Sequence, residues 1–273
     1  MTDIGRVRRW RRFLHPESGK ALIVPIDHGL TLGPIAGLTH VEPIRRWLAS
    51  GELTGVVMHK GMVERLADAC SAGLIVHLNG AVKAGGDVQA LAPPLKVRLA
   101  SAQAALALGA DAVSVHLDMG GAASAHYLGL LAEVADEAHA LGLPVLAMLY
   151  DATPGAASAA FVRQRHFMRA AVEAGADILK VQAPAELARI PELVAGLAPT
   201  PVLFAGGEMR AEGDLFALAH AVAAHQGTGL CVGRNVFQRA DPAAFLRELG
   251  RVLHQAAAIA AVTPRAIAEE MTP

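Results

Sequence analysis

Short apolar runs recur along the chain and alternate with longer amphipathic stretches. Each run has the length of a strand and is rich in Val, Ile and Leu, which is typical of parallel strands covered on both faces. The predicted strands are ALIVPI (21–26), GVVMHK (55–60), LIVHL (74–78), AVSVHL (112–117), PVLAML (144–149), DILKVQ (177–182), PVLFAG (201–206) and GLCVG (229–233).

The segments between these runs predict helices. Apolar residues spaced by three and four, followed by a closing glycine, occur in PLKVRLASAQAALALGA, HYLGLLAEVADEAHALGL and FVRQRHFMRAAVEAGA. Eight strand–helix units in about 230 residues favour an α/β fold of the (β/α)8 TIM-barrel type. A doubly wound open sheet is the alternative fold. It normally carries GxGxxG after its first strand, and IDHGLTLGP lacks that spacing.

The chain has the size of one barrel domain and shows no internal boundary. It contains 273 residues, of which 53% are hydrophobic and 18% charged, and no low-complexity linker divides it. We therefore expect a single domain over residues 1–273. Residues 1–19 are expected to form an N-terminal helical extension, and residues 255–273 a C-terminal helical tail.

Charge and hydropathy argue against several classes of partner. The net charge is −1, and no apolar segment has the length of a signal peptide or a membrane span. We expect a cytoplasmic protein with no membrane partner and no nucleic-acid partner. Cys70 and Cys231 belong to no CxxC or metal-ligand motif, and we interpret both as reduced core residues.

The N-terminal stretch RVRRWRRFLHP is strongly basic. Arginines interleaved with Trp10 and Phe13 are compatible with a nucleic-acid-binding arm. No second basic run supports that hypothesis. We therefore favour a short helix that packs its aromatic side over the lower end of the barrel and leaves its arginines in solvent.

A lysine lies inside the sixth predicted strand, DILKVQ. A buried ammonium must find a counter-charge, lose its proton or reach water. An ion pair of Lys180 with Asp118 or Asp27 and a nucleophilic role remain equally open from periodicity alone. If burial lowers its pKa, the neutral amine can attack a carbonyl to form a Schiff base, with Tyr150 on the preceding strand moving the proton. Tyr150 could instead end a core strand with its hydroxyl in water.

Glycine turns follow the last two predicted strands. In a TIM barrel these positions often bind phosphate, because backbone N–H groups can approach its oxygens closely and an arginine can add charged hydrogen bonds. The alternative is that the glycines only form tight turns. The candidate phosphate ligands are Gly206, Gly207, Gly233 and Arg234.

Asp27 follows the first predicted strand and has two interpretations. Its carboxylate could assist proton transfer at a substrate, or it could bind the backbone of its own loop. Histidines near the ends of the first four strands, at positions 28, 59, 77 and 116, suggest a metal site as a competing hypothesis. Because they show no metal-ligand spacing, we expect no metal.

Several of these motifs together resemble a known family. They are LIVPIDHGLTLGPIAGL, MHKG, LIVHL, GADAVSVHL, LAMLY, GADILKVQ, AGGE and VGRNVFQRADP, which occur in order between about residues 20 and 242. The set is similar to the class I aldolases of the archaeal fructose-bisphosphate aldolase and 2-amino-3,7-dideoxy-D-threo-hept-6-ulosonate synthase family.

The resemblance implies a Schiff-base enzyme, an aldolase or transaldolase, that needs no metal or other cofactor. It assigns the Schiff base to Lys180, proton donation and acceptance to Tyr150, and acid/base assistance to Asp27. It implies phosphorylated ketose and aldehyde substrates, phosphate binding by the two glycine turns and Arg234, and a homo-oligomer, with a pentamer or decamer as options. Further substrate contacts are expected from His28, His116, Asp118, Asp151 and Gln182.

Three stretches depart from the family pattern. YDATPG stands where the synthases usually have YPRG, so an arginine is missing and Asp151 lies nearby; KVQAP replaces KTNYTG; and NGAVKAGGDVQALAPP differs from a Ser/Thr-rich loop. These changes surround the distal substrate positions, so they affect the choice of substrate more than the mechanism. A metal-dependent lyase and a non-catalytic barrel that binds sugar phosphates are the alternative functions.

Overall fold

Eight parallel strands close into a barrel. The computed structural model describes residues 4–82, 95–153, 157–225 and 227–270, with the side chains of residues 157 and 258–270 excepted. Each barrel strand pairs in parallel with the next along the chain, and the last pairs with the first. The strands are β1 (Ala21–Pro25), β2 (Gly55–Met58), β3 (Gly73–His77), β4 (Ala112–Met119), β5 (Val145–Asp151), β6 (Ile178–Gln182), β7 (Val202–Ala205) and β8 (Gly229–Cys231).

All eight predicted strands are present, and the TIM-barrel prediction is confirmed. A short antiparallel pair between Asn79–Gly80 and Val97–Arg98 was not predicted. The glycines expected to end helices take positive φ angles, 85° at Gly109, 66° at Gly142 and 102° at Gly175. A left-handed backbone at these positions lets each chain turn from a helix into the next strand without a Cβ clash.

Helices surround the strands. They are α1 (Ile4–Trp10), α2 (His28–Leu32), α3 (Val41–Leu48), α4 (Lys60–Leu66), α5 (Ala102–Ala107), α6 (Ser124–Ala140), α7 (Ala157–Glu173), α8 (Ile190–Val194), α9 (Glu212–Ala224), α10 (Arg234–Phe237) and α11 (Pro242–Glu270). Turns of 3-10 helix occur at Arg11–Phe13, Ala67–Ala69 and Leu187–Arg189. The expected tail continues the last helix through Glu270 rather than forming an element of its own. Within the described ranges, no helix combines the length and apolar character needed to cross a membrane.

The lower part of the barrel interior is apolar. Side chains alternate along each strand, so every second residue points inward. Phe13 is fully buried and closes the N-terminal end, where its ring lies 2.7 Å from the Cβ position that Gly55 lacks and 2.5 Å from that of Gly73. The inner cluster around it contains Ala21, Ile23, Val57, Ile75, Ala112, Leu146, Met148, Ile178, Leu203 and Cys231. Because apolar residues fill this end, the polar chemistry is confined to the opposite end.

The N-terminal extension packs over the lower end as expected, with the rings of Trp10 and Phe13 stacked at 5.7 Å. The expectation that its arginines lie in solvent holds for Arg8, Arg11 and Arg12 but was wrong for Arg6 and Arg9, which are half-buried. Arg6 binds Asp177 at 2.7 Å, and Arg12 binds Asp111. These carboxylates precede β6 and β4, so the ion pairs attach the extension to the barrel.

The two cysteines differ in position. Cys231 is buried inside the barrel, whereas Cys70 is only half-buried, so its placement in the core was wrong. Cys70 follows the 3-10 turn after α4 and packs at the edge of the outer core.

Candidate active site

Lys180 lies on the inner face of β6 and is 5% exposed. The strand register places it beside Met148 of β5, and its Nζ lies 3.9 Å from the Met148 sulfur. The Tyr150 side chain and the Cys231 thiol lie near enough to the amine to influence its charge. The structure therefore brings Lys180 and Tyr150 together and adds Cys231, which sequence reasoning had assigned only to the core.

Burial and nearby charge act on Lys180 in opposite directions. Burial alone would lower the pKa of its ammonium group, but the negative charges that Cys231, Tyr150 and Asp27 can carry raise that pKa above its ordinary value. Of these three groups, only a carboxylate is normally ionised at pH 7. The resting residue is therefore an ammonium stabilised by the charge of Asp27, one of the two alternatives that periodicity left open.

Asp27 follows β1 at the same end of the barrel. Its carboxylate oxygens lie 3.8 Å from Nε2 of His77 and 3.6 Å from Nδ1 of His28. Burial alone would raise the pKa of Asp27, but His77, His28 and Lys180 together hold it far below its usual range. The Asp27 side chain makes no capping hydrogen bond to α2, so the structure does not support an ordinary turn role.

The histidines around Asp27 are held by different partners. His77 Nδ1 lies 2.8 Å from the Ser114 hydroxyl, and burial lowers the pKa of His77 to about 3. His59 Nδ1 approaches the backbone oxygen of His77 at 3.2 Å, and His28 meets the ring of Phe237 edge-on at 5.3 Å. Across the described part of the chain, no three His, Cys, Asp or Glu side chains converge as metal ligands. The histidine hypothesis therefore has no ligand set in this region.

The fourth histidine lies on the inner face of β4. The His116 ring stacks on the Tyr150 ring, with centroids 4.3 Å apart and planes 8° from parallel. Its Nε2 lies 2.8 Å from the Asp118 carboxylate, whose other oxygen binds the Lys96 ammonium and accepts a hydrogen bond from Tyr127 at 3.4 Å. The possible ion pair of Asp118 with Lys180 was therefore wrong, because Lys96 takes that place.

The two glycine turns pack tightly. A Cβ on Gly206 would lie 2.9 Å from the Asn235 side-chain nitrogen, and one on Gly233 would lie 2.7 Å from both the Pro25 backbone oxygen and the His28 ring. Gly207 has a φ of 72°. Tight packing therefore requires glycine at positions 206 and 233, and the backbone conformation favours it at position 207, whether or not a ligand binds.

Asn235 joins the two turns, and sequence reasoning missed it. Its fully buried side chain accepts a hydrogen bond from the Arg210 backbone N–H at 2.9 Å and donates one to the Glu208 backbone oxygen at 2.8 Å. The Arg210 guanidinium lies 3.4 Å from the Cβ position that Gly207 lacks. The Arg234 Nε is buried without a hydrogen-bond partner in the described structure. The only available signal was a polar residue directly after each glycine turn.

Asp151 and Gln182, which belong to the stretches that depart from the family pattern, line a cavity of about 520 Å³. Its lining includes Tyr150, Asp151, Phe161, Gln164, Gln182 and Pro184. The Gln182 side-chain oxygen lies 3.7 Å from the missing Cβ of Gly207, whereas Asp151 binds Arg163 of α7 at 2.8 Å. The departures in YDATPG and in NGAVKAGGDVQALAPP lie partly outside the described residues, at positions 154–155 and 83–94 respectively.

Comparisons with known proteins identify the family of the chain. The model of the DeoC/LacD family of aldolases matches residues 21–239. A 2-amino-4,5-dihydroxy-6-oxo-7-(phosphonooxy)heptanoate synthase of Streptomyces griseus is 33% identical over 256 residues, covering 91% of this chain and 90% of the relative. A 2-amino-3,7-dideoxy-D-threo-hept-6-ulosonate synthase of Halobacterium salinarum is 33% identical over 267 residues, covering 97% and 98%.

Solved structures give the same family. An archaeal fructose 1,6-bisphosphate aldolase has a TM-score of 0.78 and 26% identity, covering 91% of this chain and 98% of its own. A structure of an archaeal fructose-1,6-bisphosphate aldolase, whose catalytic Lys is covalently bound to the carbinolamine intermediate, has a TM-score of 0.78 and 26% identity, covering 90% and 98%. The chain therefore belongs to the DeoC/LacD family of aldolases and is an enzyme of the Schiff-base-forming, class I type.

Proposed function

We propose that Lys180 forms the Schiff base and that the enzyme makes or breaks a carbon–carbon bond in a phosphorylated ketose. The observation that carries the proposal is the buried amine itself, which lies on the inner face of the barrel within the electrostatic influence of Tyr150 and Asp27. Desolvating a charged amine is unfavourable, so an apolar residue would serve the core better at this position. A covalent reaction with the substrate would account for a buried amine at this position.

The surrounding groups suit each step of this chemistry. The amine first loses its proton and then attacks the ketone carbon, giving a carbinolamine that loses water to form a protonated iminium. Asp27 stabilises the positive charge on nitrogen before and after this step. The iminium then takes the electron pair of the adjacent breaking carbon–carbon bond. The Tyr150 hydroxyl is placed to exchange protons with the carbinolamine.

We place the substrate phosphate between the glycine turns after β7 and β8. Gly206, Gly207 and Gly233 allow close approach of a ligand to the backbone, and Arg234 supplies a guanidinium whose buried Nε has no protein partner in the described structure. Arg210 adds a second guanidinium beside Gly207. Two guanidinium groups and backbone N–H groups are suited to a phosphate dianion.

The names of the relatives suggest a substrate pair. Splitting 2-amino-4,5-dihydroxy-6-oxo-7-(phosphonooxy)heptanoate next to its ketone, in the reverse of an aldol addition, gives dihydroxyacetone phosphate and aspartate semialdehyde. We propose the same kind of joining for this chain, with a phosphorylated three-carbon ketone as donor and an aldehyde as acceptor. His28, His116, Asp118, Asp151 and Gln182 are the proposed further contacts. A cytoplasmic homo-oligomer, a pentamer or decamer, is proposed from the family resemblance, and light scattering of the purified protein tests its size.

A substrate screen tests the proposed activity. The enzyme is incubated with dihydroxyacetone phosphate and aspartate semialdehyde, or with fructose 1,6-bisphosphate alone, and carbon–carbon bond formation or cleavage is followed by mass spectrometry. We expect turnover with at least one of these, and a loss of at least about 10³-fold in Lys180→Met, because the nucleophile is removed. Binding that survives Lys180→Met, with no turnover by the wild type, would instead indicate a sugar-phosphate-binding barrel.

A further inference from the structure

The Asp118–His116 pair has a geometry that Schiff-base formation alone does not use. His116 Nε2 bonds to one carboxylate oxygen of Asp118 at 2.8 Å, so a neutral imidazole carries its proton on Nε2 and leaves Nδ1 as an acceptor. Nδ1 has no hydrogen-bond partner among the described residues. The side chain is one-fifth exposed at the mouth of the barrel.

The position of the ring is fixed from several sides. Both backbone groups of His116 bond to the buried Asn79, whose Oδ1 accepts at 2.8 Å and whose Nδ2 donates at 2.9 Å. Lys96 and Tyr127 hold the second oxygen of Asp118. The imidazole is thus presented in one orientation, stacked against the same Tyr150 that influences the charge of Lys180.

The charges around His116 favour the neutral form. Burial lowers the pKa of His116, the hydrogen bond with Asp118 raises it, and the Lys96 ammonium lowers it again; the pKa lies below its ordinary value. Asp27 also faces the ring and raises the pKa. An imidazole that is neutral at pH 7 and backed by a carboxylate can accept a proton, because Asp118 then stabilises the imidazolium that forms.

We propose that His116 is a second acid–base residue of the active site, acting on the oxygen of the aldehyde partner, with Asp118 as its positioning residue. The inference rests on the proposed Schiff-base function. In cleavage, Nδ1 takes the proton from the hydroxyl on the departing carbon. The electrons of that O–H bond form the aldehyde C=O, and those of the breaking C–C bond form the enamine and neutralise the iminium. In the reverse direction, when the carbon–carbon bond forms, the imidazolium that solvent has protonated gives a proton to the new alkoxide.

In this proposal Tyr150 and His116 act on different atoms of the substrate. Tyr150 lies near Lys180 and acts at the nitrogen, where the carbinolamine forms and loses water. His116 stacks on the Tyr150 ring, with centroids 4.3 Å apart, and we place the carbon beyond the breaking bond beside its Nδ1. The two proton transfers occur at different atoms, so separate groups can serve them.

Separate readouts test the assignment. Borohydride trapping with dihydroxyacetone phosphate alone reports Schiff-base formation, and product formation after addition of aspartate semialdehyde reports the carbon–carbon step. In His116→Ala we expect trapping within about threefold of the wild type and a loss of about 10²- to 10³-fold in the carbon–carbon step. Added imidazole should restore part of the lost rate. His166→Gln, an exposed histidine on α7, is the matched control and should behave as the wild type.

A second variant tests the carboxylate. Asp118→Asn keeps a side chain of the same shape and removes the charge, so we expect about a tenfold loss in the carbon–carbon step with trapping unchanged. Three results would each overturn the proposal. They are a carbon–carbon step in His116→Ala as fast as in the wild type, a loss of trapping in that variant as large as its loss in the carbon–carbon step, and no rescue by imidazole. Failure of the wild type to trap any donor would instead contradict the proposed Schiff-base function.

Discussion

The turns after β7 and β8 need glycines, which have no side chain, whereas polar side chains interact with one another at the ends of β1 to β4. In the first region, which we call the glycine side, Gly206, Gly207 and Gly233 lack a Cβ where neighbours or the backbone conformation disfavour one, and Asn235 ties the turns together. In the second region, the histidine side, two carboxylates each lie beside an imidazole, Asp27 beside His77 and Asp118 beside His116.

The difference separates two functions within one barrel mouth. A rigid turn that lets a ligand approach backbone N–H groups and guanidinium groups is suited to binding an anion, whereas titratable groups are suited to moving protons. Lys180 lies between them on β6. Changes on the glycine side should therefore weaken substrate binding, and changes on the histidine side should slow the chemical steps.

The largest effect is expected from Gly233→Ala. The new Cβ would lie 2.7 Å from the Pro25 backbone oxygen and from the His28 ring, so the turn must move. We expect the KM for a phosphorylated donor to rise about 10- to 100-fold and the free energy of unfolding to fall by about 1–3 kcal/mol. Steady-state kinetics and urea unfolding measure both quantities.

Gly213→Ala is the control for this substitution. Gly213 lies in α9, and nothing lies within 4 Å of its missing Cβ. Alanine there should stabilise the helix slightly and leave KM unchanged. If Gly233→Ala bound donor as well as Gly213→Ala does, the glycine side would have no role in substrate binding.

Asp27→Asn should change the pH dependence of trapping. Because the carboxylate favours the Lys180 ammonium, its removal lowers the pKa of Lys180 and increases the neutral amine at a given pH. We expect the acidic limb of the trapping rate to move to lower pH by about 1 unit, while turnover falls about 10- to 100-fold because the positive charge on nitrogen is no longer stabilised.

The rate of borohydride trapping, measured at a series of pH values, reports this shift. Asp68→Asn, on the surface beside Arg45, should leave the profile in place. A profile that stays fixed in Asp27→Asn, or moves to higher pH, would show that Asp27 is not the anion that favours the ammonium.

A pair of buried asparagines sharpens the comparison further. Asn235 and Asn79 are both fully buried and both bond to backbone groups, Asn235 on the glycine side and Asn79 on the histidine side. Each alanine variant leaves buried backbone groups unsatisfied and should lower the free energy of unfolding by about 1–3 kcal/mol. We expect Asn235→Ala to raise the donor KM about fivefold and Asn79→Ala to lower kcat by a similar factor.

Each variant serves as the control for the other, because the loss of stability should be similar in both. The same change in KM and kcat for the two would contradict a division of the mouth into binding and proton-transfer regions.

Local patterns predicted the fold well for a physical reason. Strands buried on both faces are continuous apolar runs, and a glycine that ends a helix is visible in the sequence, as at Gly109 and Gly175. The inner-facing residues near the strand ends follow from alternation, so Lys180, Tyr150 and Asp27 could be placed at one mouth before the structure was known.

The network at that mouth could not be predicted in the same way. Asp118 binds Lys96, which lies on a different segment, and Asn235 bridges two loops that are separate in sequence. The pKa of Lys180 depends on the balance of burial against nearby charges, and periodicity contains neither quantity. The sequence therefore left the charge state of Lys180 open, although alternation along the strand placed the residue on its inner face.

Peptide mapping after borohydride reduction tests the central claim most directly. The wild type is reduced in the presence of dihydroxyacetone phosphate, digested and analysed by mass spectrometry. The account predicts a stable donor adduct on Lys180, present in Asp118→Asn and absent from Lys180→Met. An adduct on a different lysine, or full catalytic activity with no adduct, would contradict it.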